Sequence, residues 1–489
     1  MPVNSLADFL EELERAGELA RVSVEVDPDL EAAAITDRVA KSGGPALFFE
    51  RLKGHYPPLV TNLLGAEPRL CRALGVAKLD ELADRLTPEV APAAGWLERL
   101  KAGSLFAAPA KEPTKTVRSG VCQQVVKLGR DVDLAEWPAL RCWPLEPRRS
   151  ITSGLLLTQD PETGVRKFEA VALEIVDRAK LAVCWGRYDA GLRHWAAYRR
   201  RGERMPVAAW IGADPALAVV AAAPLPGEAD SFAFAALLRR QPMELVKCRS
   251  HELEVPAEAE IVIEGFVDPE EQLATSGPHG QADGRYGPQR EAWPLAVTTV
   301  THRTNPVFAA TVPAGPPNES DVIARAIERL WLPLVKQAVP ELVDYALIEQ
   351  AGPHNLAVLS IRKTFPGQAR KAAGGFWGLD AYMFVKRVVV VDADVDVRDY
   401  PQVLLAAATN AAPGRDVFFQ AGPPHPADAQ TAAGSQLMGL DATTKLPNEH
   451  AGSWPEKLAL SQETVDLIRA RWSEYGLRFA SHPSFGDDK

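Results

Sequence analysis

Apolar residues at the start of the chain recur with a helical period. Leu6, Phe9, Leu10 and Leu13 share one face. Ser5 precedes them as a cap, Asp8 lies in the first turn, and Gly17 follows as a stop. Leu19, Val22, Val24 and Val26 then predict a strand. Asp27 and Asp29 introduce a second helix through Ile35 and Val39, and PALFFE predicts a buried strand. Helical patterns over 70–74 and 79–86 complete an α/β region that runs to a polar, proline-containing linker at Lys111-Glu-Pro-Thr. From Val117 the period changes. VCQQVVKL, SGLLLTQD, KFEAVALEIVD, KLAVCWG, AAWIGAD, EIVIEGFV, LAVTTVTHR and VFAATVPA read as short strands, with DPETG at 160–164 as a hairpin turn. Two helices, Arg193 to Arg201 and Ser231 to Arg239, interrupt them. Many strands with few helices predict a β-barrel. Asn318 next heads a long amphipathic helix carrying Val322, Ile323, Ala326, Ile327, Leu330 and Trp331, read as a connector. Beyond it, strands at 356–361 and 387–391 alternate with helices at 401–408 and 462–472. The chain is therefore expected to be a mixed α/β and β multidomain protein. Its expected parts are an N-terminal α/β domain over 1–112, a central barrel over 113–316, a connecting helix over 317–340 and a C-terminal α/β domain over 341–489.

Composition narrows the function classes. The 489 residues are 46% hydrophobic and 24% charged, ordinary for a globular protein. A net charge of −10 with no basic stripe argues against nucleic acid as a partner. No apolar run reaches the length of a membrane span, and the acidic, amphipathic first residues do not resemble a leader peptide. Cys71, Cys122, Cys142, Cys184 and Cys248 are scattered without metal spacing, as expected for reduced thiols in the cytoplasm. The stretch from Gln241 to Pro288 holds the candidate chemistry. Glu244 is set among Met243, Leu245 and Val246, and a carboxylate on a buried strand must be paired, protonated or bound to a cation. A structural ion pair is the simpler reading of those residues alone. The following loop, SGPHGQADGRYGP, is rich in glycine and proline.

ELVKC, VPAEAEIVIEG, that Gly-Pro loop and the later segment PGQARK together resemble the UbiD family of decarboxylases, and the resemblance runs from the first helix to WPEKLALS. It implies a split barrel of the flavin-reductase type holding prenylated FMN, and removal of carboxylate from aromatic or α,β-unsaturated acids. In the family an Asn, a His and a Glu hold a divalent metal that bridges to the flavin phosphate. An Arg and two Glu residues surround the reacting carbon. Where the family strand reads GVRNVGIYRMQVLD, this chain reads GVRKFEAVALEIVD, so the metal Asn position is Lys167 and the catalytic Arg position is Ala172. A His-Trp pair becomes Cys184-Trp185, and the third metal position is matched to Glu244 of ELVKC. The loop PEGPFGE becomes TSGPHGQ, which puts Ser276 and Gln281 at the carboxylate positions.

These replacements have chemical consequences. An ammonium at position 167 repels a cation, and Cys184 is a poor ligand for a hard metal, so no divalent metal is expected. Gln281 cannot transfer a proton near neutral pH, and Ala172 removes the bidentate anchor for a substrate carboxylate. Lys167 is expected to stand in for the metal charge and to pair with Glu244. Lys363 of SIRKTFPGQARK, with Arg370 and Lys371, is a candidate for contact with a phosphate or anionic substrate. Gln368 there replaces a family His, and a solvated face or subunit contact is the simpler reading of the cluster. His279 has the chemistry of an acid or base, against the simpler reading of a surface loop residue. Cys184 reads as a small buried residue, and His194 and His251 have no spaced partners and receive no metal role.

Three functions are consistent with this pattern. The preferred one is a non-catalytic UbiD-type paralogue that keeps the fold and its oligomer contacts beside an active sister subunit. The second is an active decarboxylase with a rebuilt site, for which WPLEPRRSIT at 143–152 resembles quinone-pathway members and suggests an aromatic or naphthoate acid. The third is a binding protein reusing the cofactor cavity. Homo- or hetero-oligomers are expected by resemblance.

Overall fold

The structure, a computed structural model, describes residues 3–90, 114–352, 355–423, 435–450, 452, 454–455, 458 and 460–476. The expected boundary at 112 lies outside the described residues. Two compact units emerge, Met1–Thr443 and Thr444–Lys489. In the second, the helix Gln462–Arg471 is capped by Ser461, whose hydroxyl accepts from the Thr464 amide at 3.2 Å.

The first unit opens with the helix Leu6–Arg15, capped by Ser5 and burying Leu6, Phe9, Leu10 and Leu13. It leads into a four-stranded sheet ordered Leu19–Val26, Ala46–Leu52, Leu59–Thr61 and Phe308–Ala309. The last strand comes from VFAATVPA, which was expected in the barrel. Phe308 instead pairs in parallel with Leu59, sewing the end of the central region onto the N-terminal sheet.

The central sheet has ten strands and curls into a half-barrel. Its path runs Ser150–Ile151, Leu173–Asp177, Lys180–Val183, Arg290–His302, Ile261–Val267, Met205–Ile211, Leu155–Gln159 and Arg166–Ala170. KFEAVALEIVD, expected as one strand, is two. Of its halves, Arg166–Ala170 ends this path and Leu173–Asp177 stands next to the strand that begins it, with Val171-Ala172 as the corner between them. The hairpin at 160–164 forms as expected, with Asp160 accepting from the amides of Glu162 and Thr163 at 2.7 and 3.1 Å. Its register sets Thr158 opposite Lys167 and Leu156 opposite Glu169. Lys167 and Glu169 therefore share one face of their strand, as residues two apart must.

A small sheet joins Lys115–Val117, Glu244–Lys247 and Glu254–Pro256. The connector is the helix Glu319–Ala338, opened by a capping box between Asn318 and Asp321 and burying Ala326, Leu330, Trp331 and Val335. The last sheet is ordered Leu342–Leu347, Leu356–Ile361, Arg387–Asp392, Ser435–Asp441 and Val417–Gly422, with the helices Gln368–Trp377 and Tyr400–Asn410 packed on it. Among the described residues no helix is long and apolar enough to cross a membrane.

Candidate functional site

The strand Arg166–Ala170 carries the first group of charges. Lys167 is 4% exposed, and its Nζ donates to the Pro226 carbonyl at 2.5 Å. Burial, helped by the Arg193 guanidinium, brings its pKa down to about 8. Glu169, on the same face, points its carboxylate at the start of the helix Ala190–Arg201 and accepts from the amides of Ala190 and Gly191 at 2.6 and 2.9 Å. A helix N-terminus attracts anions because its first amides lack partners and its dipole is positive there. Here the chain supplies its own anion. Burial, with Asp189 alongside, raises the Glu169 pKa to about 7 despite those two bonds. The helix accordingly starts three residues earlier than Arg193, where its sequence pattern begins. Gly191 is required: a Cβ there would sit 2.2 Å from the Trp185 indole nitrogen.

The structure corrects the expected pairing of Lys167 with Glu244. Glu244 is exposed, and its carboxylate takes the Lys115 ammonium at 2.8 Å. It opens its strand, where Leu245 and Val246 turn inward and the first side chain is left in solvent. The charges acting on Lys167 come from Arg193, Glu169, Asp230 and Glu228. Asp230 caps the helix Ser231–Arg239 and binds the Arg166 guanidinium at 2.8 Å, while the Ser231 hydroxyl accepts from the Phe168 amide at 3.3 Å.

A second group gathers near the other end of the sheet, around Glu174, whose strand pairs with both Ser150–Ile151 and Lys180–Val183. This carboxylate is fully buried and forms an ion pair with Arg148. It also accepts from the Ser276 hydroxyl at 2.6 Å and the Gly277 amide at 3.2 Å, and it lies 3.3 Å from His279 Nε2. Ser276 Oγ is 2.9 Å from the same imidazole nitrogen, and Cys184 is among the groups that act on the charge of His279. Burial alone would raise the Glu174 pKa, but the bonds from His279, Ser276, Arg148 and Gly277 hold it down at about 2. His279 moves the other way, to about 9: Cys184 and Glu174 outweigh the burial that would lower it. At neutral pH the two form a carboxylate–imidazolium pair. The surface reading of His279 is thus corrected, since its side chain is 16% exposed. Glu146 pins the same loop by accepting from the amides of Cys142, Trp143 and Gly280 at 2.7, 3.1 and 2.9 Å.

Of the residues singled out in the sequence, Cys184, Ser276 and His279 meet here. Gln281 follows in the same loop, its side chain donating to the His279 carbonyl at 3.3 Å, and Ala172 sits at the strand corner. Lys363 lies in the C-terminal region, donating to Thr443 Oγ1 at 2.9 Å and standing 3.6 Å from Asp441. Arg370 stacks on Phe418, and Lys371 pairs with Glu341 at 2.7 Å. Glu169, Glu174, Arg148 and Glu146 were not anticipated. A signal existed for two of them: in the strand GVRNVGIYRMQVLD, Glu169 replaces a Gly and Glu174 replaces a Gln.

The residues present do not fit the family's metal and phosphate arrangement. The three positions that the resemblance matches to metal ligands have separate surroundings: Lys167 binds Pro226, Cys184 acts on His279 and Glu244 binds Lys115. The first amides of the helix Ala190–Arg201 are held by Glu169.

Three models of the 3-octaprenyl-4-hydroxybenzoate carboxy-lyase, UbiD, match consecutive parts of the chain. The N-terminal domain matches residues 10–86, the Rift-related domain 115–316 and the C-terminal domain 321–446. An uncharacterized protein of Aquifex aeolicus (strain VF5) is 39% identical over 482 residues, covering 96% of this chain and 98% of that one. The closed form of vanillic acid decarboxylase from Sedimentibacter hydroxybenzoicus superposes with a TM-score of 0.84 at 26% identity, over 97% of this chain and 99% of that one. An evolved dimeric form of the UbiD-class enzyme HmfF from Pelotomaculum thermopropionicum, in complex with prFMN, gives 0.77 at 29% identity, over 94% and 98%. Matched by all three domain models and alike over nearly its whole length, the chain belongs to the UbiD family of carboxy-lyases.

Proposed function

We propose that this chain is a divergent UbiD-family member that does not run prenylated-FMN decarboxylation at its own site and works beside an active family subunit. The observation that carries this reading is the internal ion set on the strand Arg166–Ala170. Lys167 holds the position of a metal ligand, and Glu169 fills the helix N-terminus with a carboxylate. A flavin phosphate arriving there would find the helix amides already taken by Glu169, with Asp189 beside it. The fold meanwhile is intact, which suits a subunit kept for its contacts. The free state of all five cysteines supports a cytoplasmic location. The test is co-expression with an active UbiD-class subunit and a flavin prenyltransferase, followed by native mass spectrometry. The expected product is a mixed oligomer with flavin on the partner only. Flavin on this chain, or no mixed oligomer, overturns the reading.

A second reading is favoured by the group around Glu174. Arg148 brings a guanidinium close to where Ala172 lost one, and the Glu174–His279 pair offers an acid and a base. In that case the chain is a carboxy-lyase with rebuilt residues. It would release carbon dioxide from an aromatic acid, and Glu174→Gln would abolish the release.

A further inference from the structure

A separate cluster lies where the small sheet meets the central one. Cys248 and His251 follow the strand Glu244–Lys247 as Cys-x-x-His, and Glu264 comes from the strand Ile261–Val267. One ligand atom from each of the three falls within 4.8 Å of the others. Cys248 and Glu264 are buried, Glu264 completely.

The geometry around this cluster is built. Glu264 accepts from the Arg249 amide at 2.9 and 2.8 Å, from the Ser250 amide at 2.7 Å and from the Ser250 hydroxyl at 2.8 Å. Those bonds clamp the Cys-x-x-His turn onto the carboxylate. Most fall on Oε2, and Oε1 has one donor, which leaves it a lone pair. His251 Nε2 lies 3.0 Å from the Val207 carbonyl. A carbonyl only accepts, so Nε2 carries the hydrogen and Nδ1 presents a lone pair. That Nδ1 is buried and has no hydrogen-bond partner. A buried acceptor without a donor is costly, and an imidazole fixed through one nitrogen by a carbonyl is how metal-binding histidines are oriented. The ring is further held edge-on against Phe266, with centroids 5.6 Å apart.

We propose that Cys248, His251 and Glu264 bind a divalent cation, and that the mixed sulfur, nitrogen and oxygen donors select zinc. Binding would ionise the Cys248 thiol, releasing its proton to solvent as the Zn–S bond forms. The ion ties the turn after Lys247 to the central sheet, so its role is structural.

The experiment is zinc analysis of the full chain purified without chelators, with cobalt substitution as the second readout. About one zinc per chain is expected, along with a thiolate-to-cobalt charge-transfer band after exchange. Chelation should lower the melting temperature and added zinc should restore it. Cys248→Ser and His251→Ala should each weaken zinc binding by more than about 100-fold, the upper range for losing an outer-shell partner. Should either variant fail to fold, zinc titration of the chelated wild type decides. A wild-type protein that neither contains zinc nor shifts its melting temperature on zinc addition overturns the proposal. So does zinc retained at full stoichiometry by the two variants.

Discussion

Glu169→Gln is the most informative single perturbation of the candidate site. It keeps the shape of the side chain and an oxygen acceptor for one of the two amides of Ala190 and Gly191, a loss that does not vary with pH, and it cannot ionise. In the wild type, burial raises the Glu169 pKa from 4.5 to about 7. A carboxyl whose folded pKa is raised binds more protons folded than unfolded between those two values. Its contribution to stability is therefore full below pH 4.5 and is lost as pH climbs through about 7. At 1.36 kcal/mol per tenfold change in proton affinity, the loss is about 3 kcal/mol. Glutamine has no such loss. The assay is denaturant unfolding of both proteins at matched pH steps across that window, read as a difference so that other titrating groups cancel. The variant should gain on the wild type by about 3 kcal/mol in total between pH 4.5 and just above 7. A difference that stays flat would mean that Glu169 is not a buried acid at the helix N-terminus, and the argument about a self-filled anion site would fall with it.

Three further outcomes follow from the same geometry. The variant Glu169→Gly frees two amides and removes a carboxyl, so it should bind FMN at least about 100-fold better than wild type by fluorescence titration; unchanged binding would show that Glu169 is no obstacle. Glu174→Gln should drop the His279 pKa from about 9 towards 6.5, measured by NMR titration of the imidazole, whereas an unmoved value would detach the two groups. Glu244→Ala breaks a pair whose side chains are 50% and 66% exposed, so it should cost less than about 1 kcal/mol and leave oligomeric state and any activity alone; a large loss would restore Glu244 to the functional set.

Much of the fold is legible from hydrophobic period alone. The first helix and the connector carry their caps and apolar faces in local sequence, so Ser5 and Asn318 mark their starts. KFEAVALEIVD was harder, because its corner at Val171-Ala172 has neither glycine nor proline and the apolar alternation runs through it. Glu244 misled for a related reason. Apolar neighbours on both sides suggest burial, yet the first residue of a strand can face solvent while the next two turn in. The charged groups of the site were least legible, since their meaning lies in partners far along the chain. Glu174 acquires its role from Arg148 and from Ser276, and Glu169 from a helix that begins at Ala190. His251 looked isolated although Cys248 stands three residues before it, because the other companion, Glu264, arrives from another strand.

The reading proposed above has Glu169 occupy helix amides that a flavin phosphate would otherwise be offered. Flavin occupancy tests it most directly. The chain is expressed alone with a flavin prenyltransferase, purified, and examined by absorption spectrum and bound mass. A folded protein without flavin is the expected result. Stoichiometric prenylated FMN on the wild-type chain would contradict that reading, because Glu169 would then have to give up the two amides it occupies.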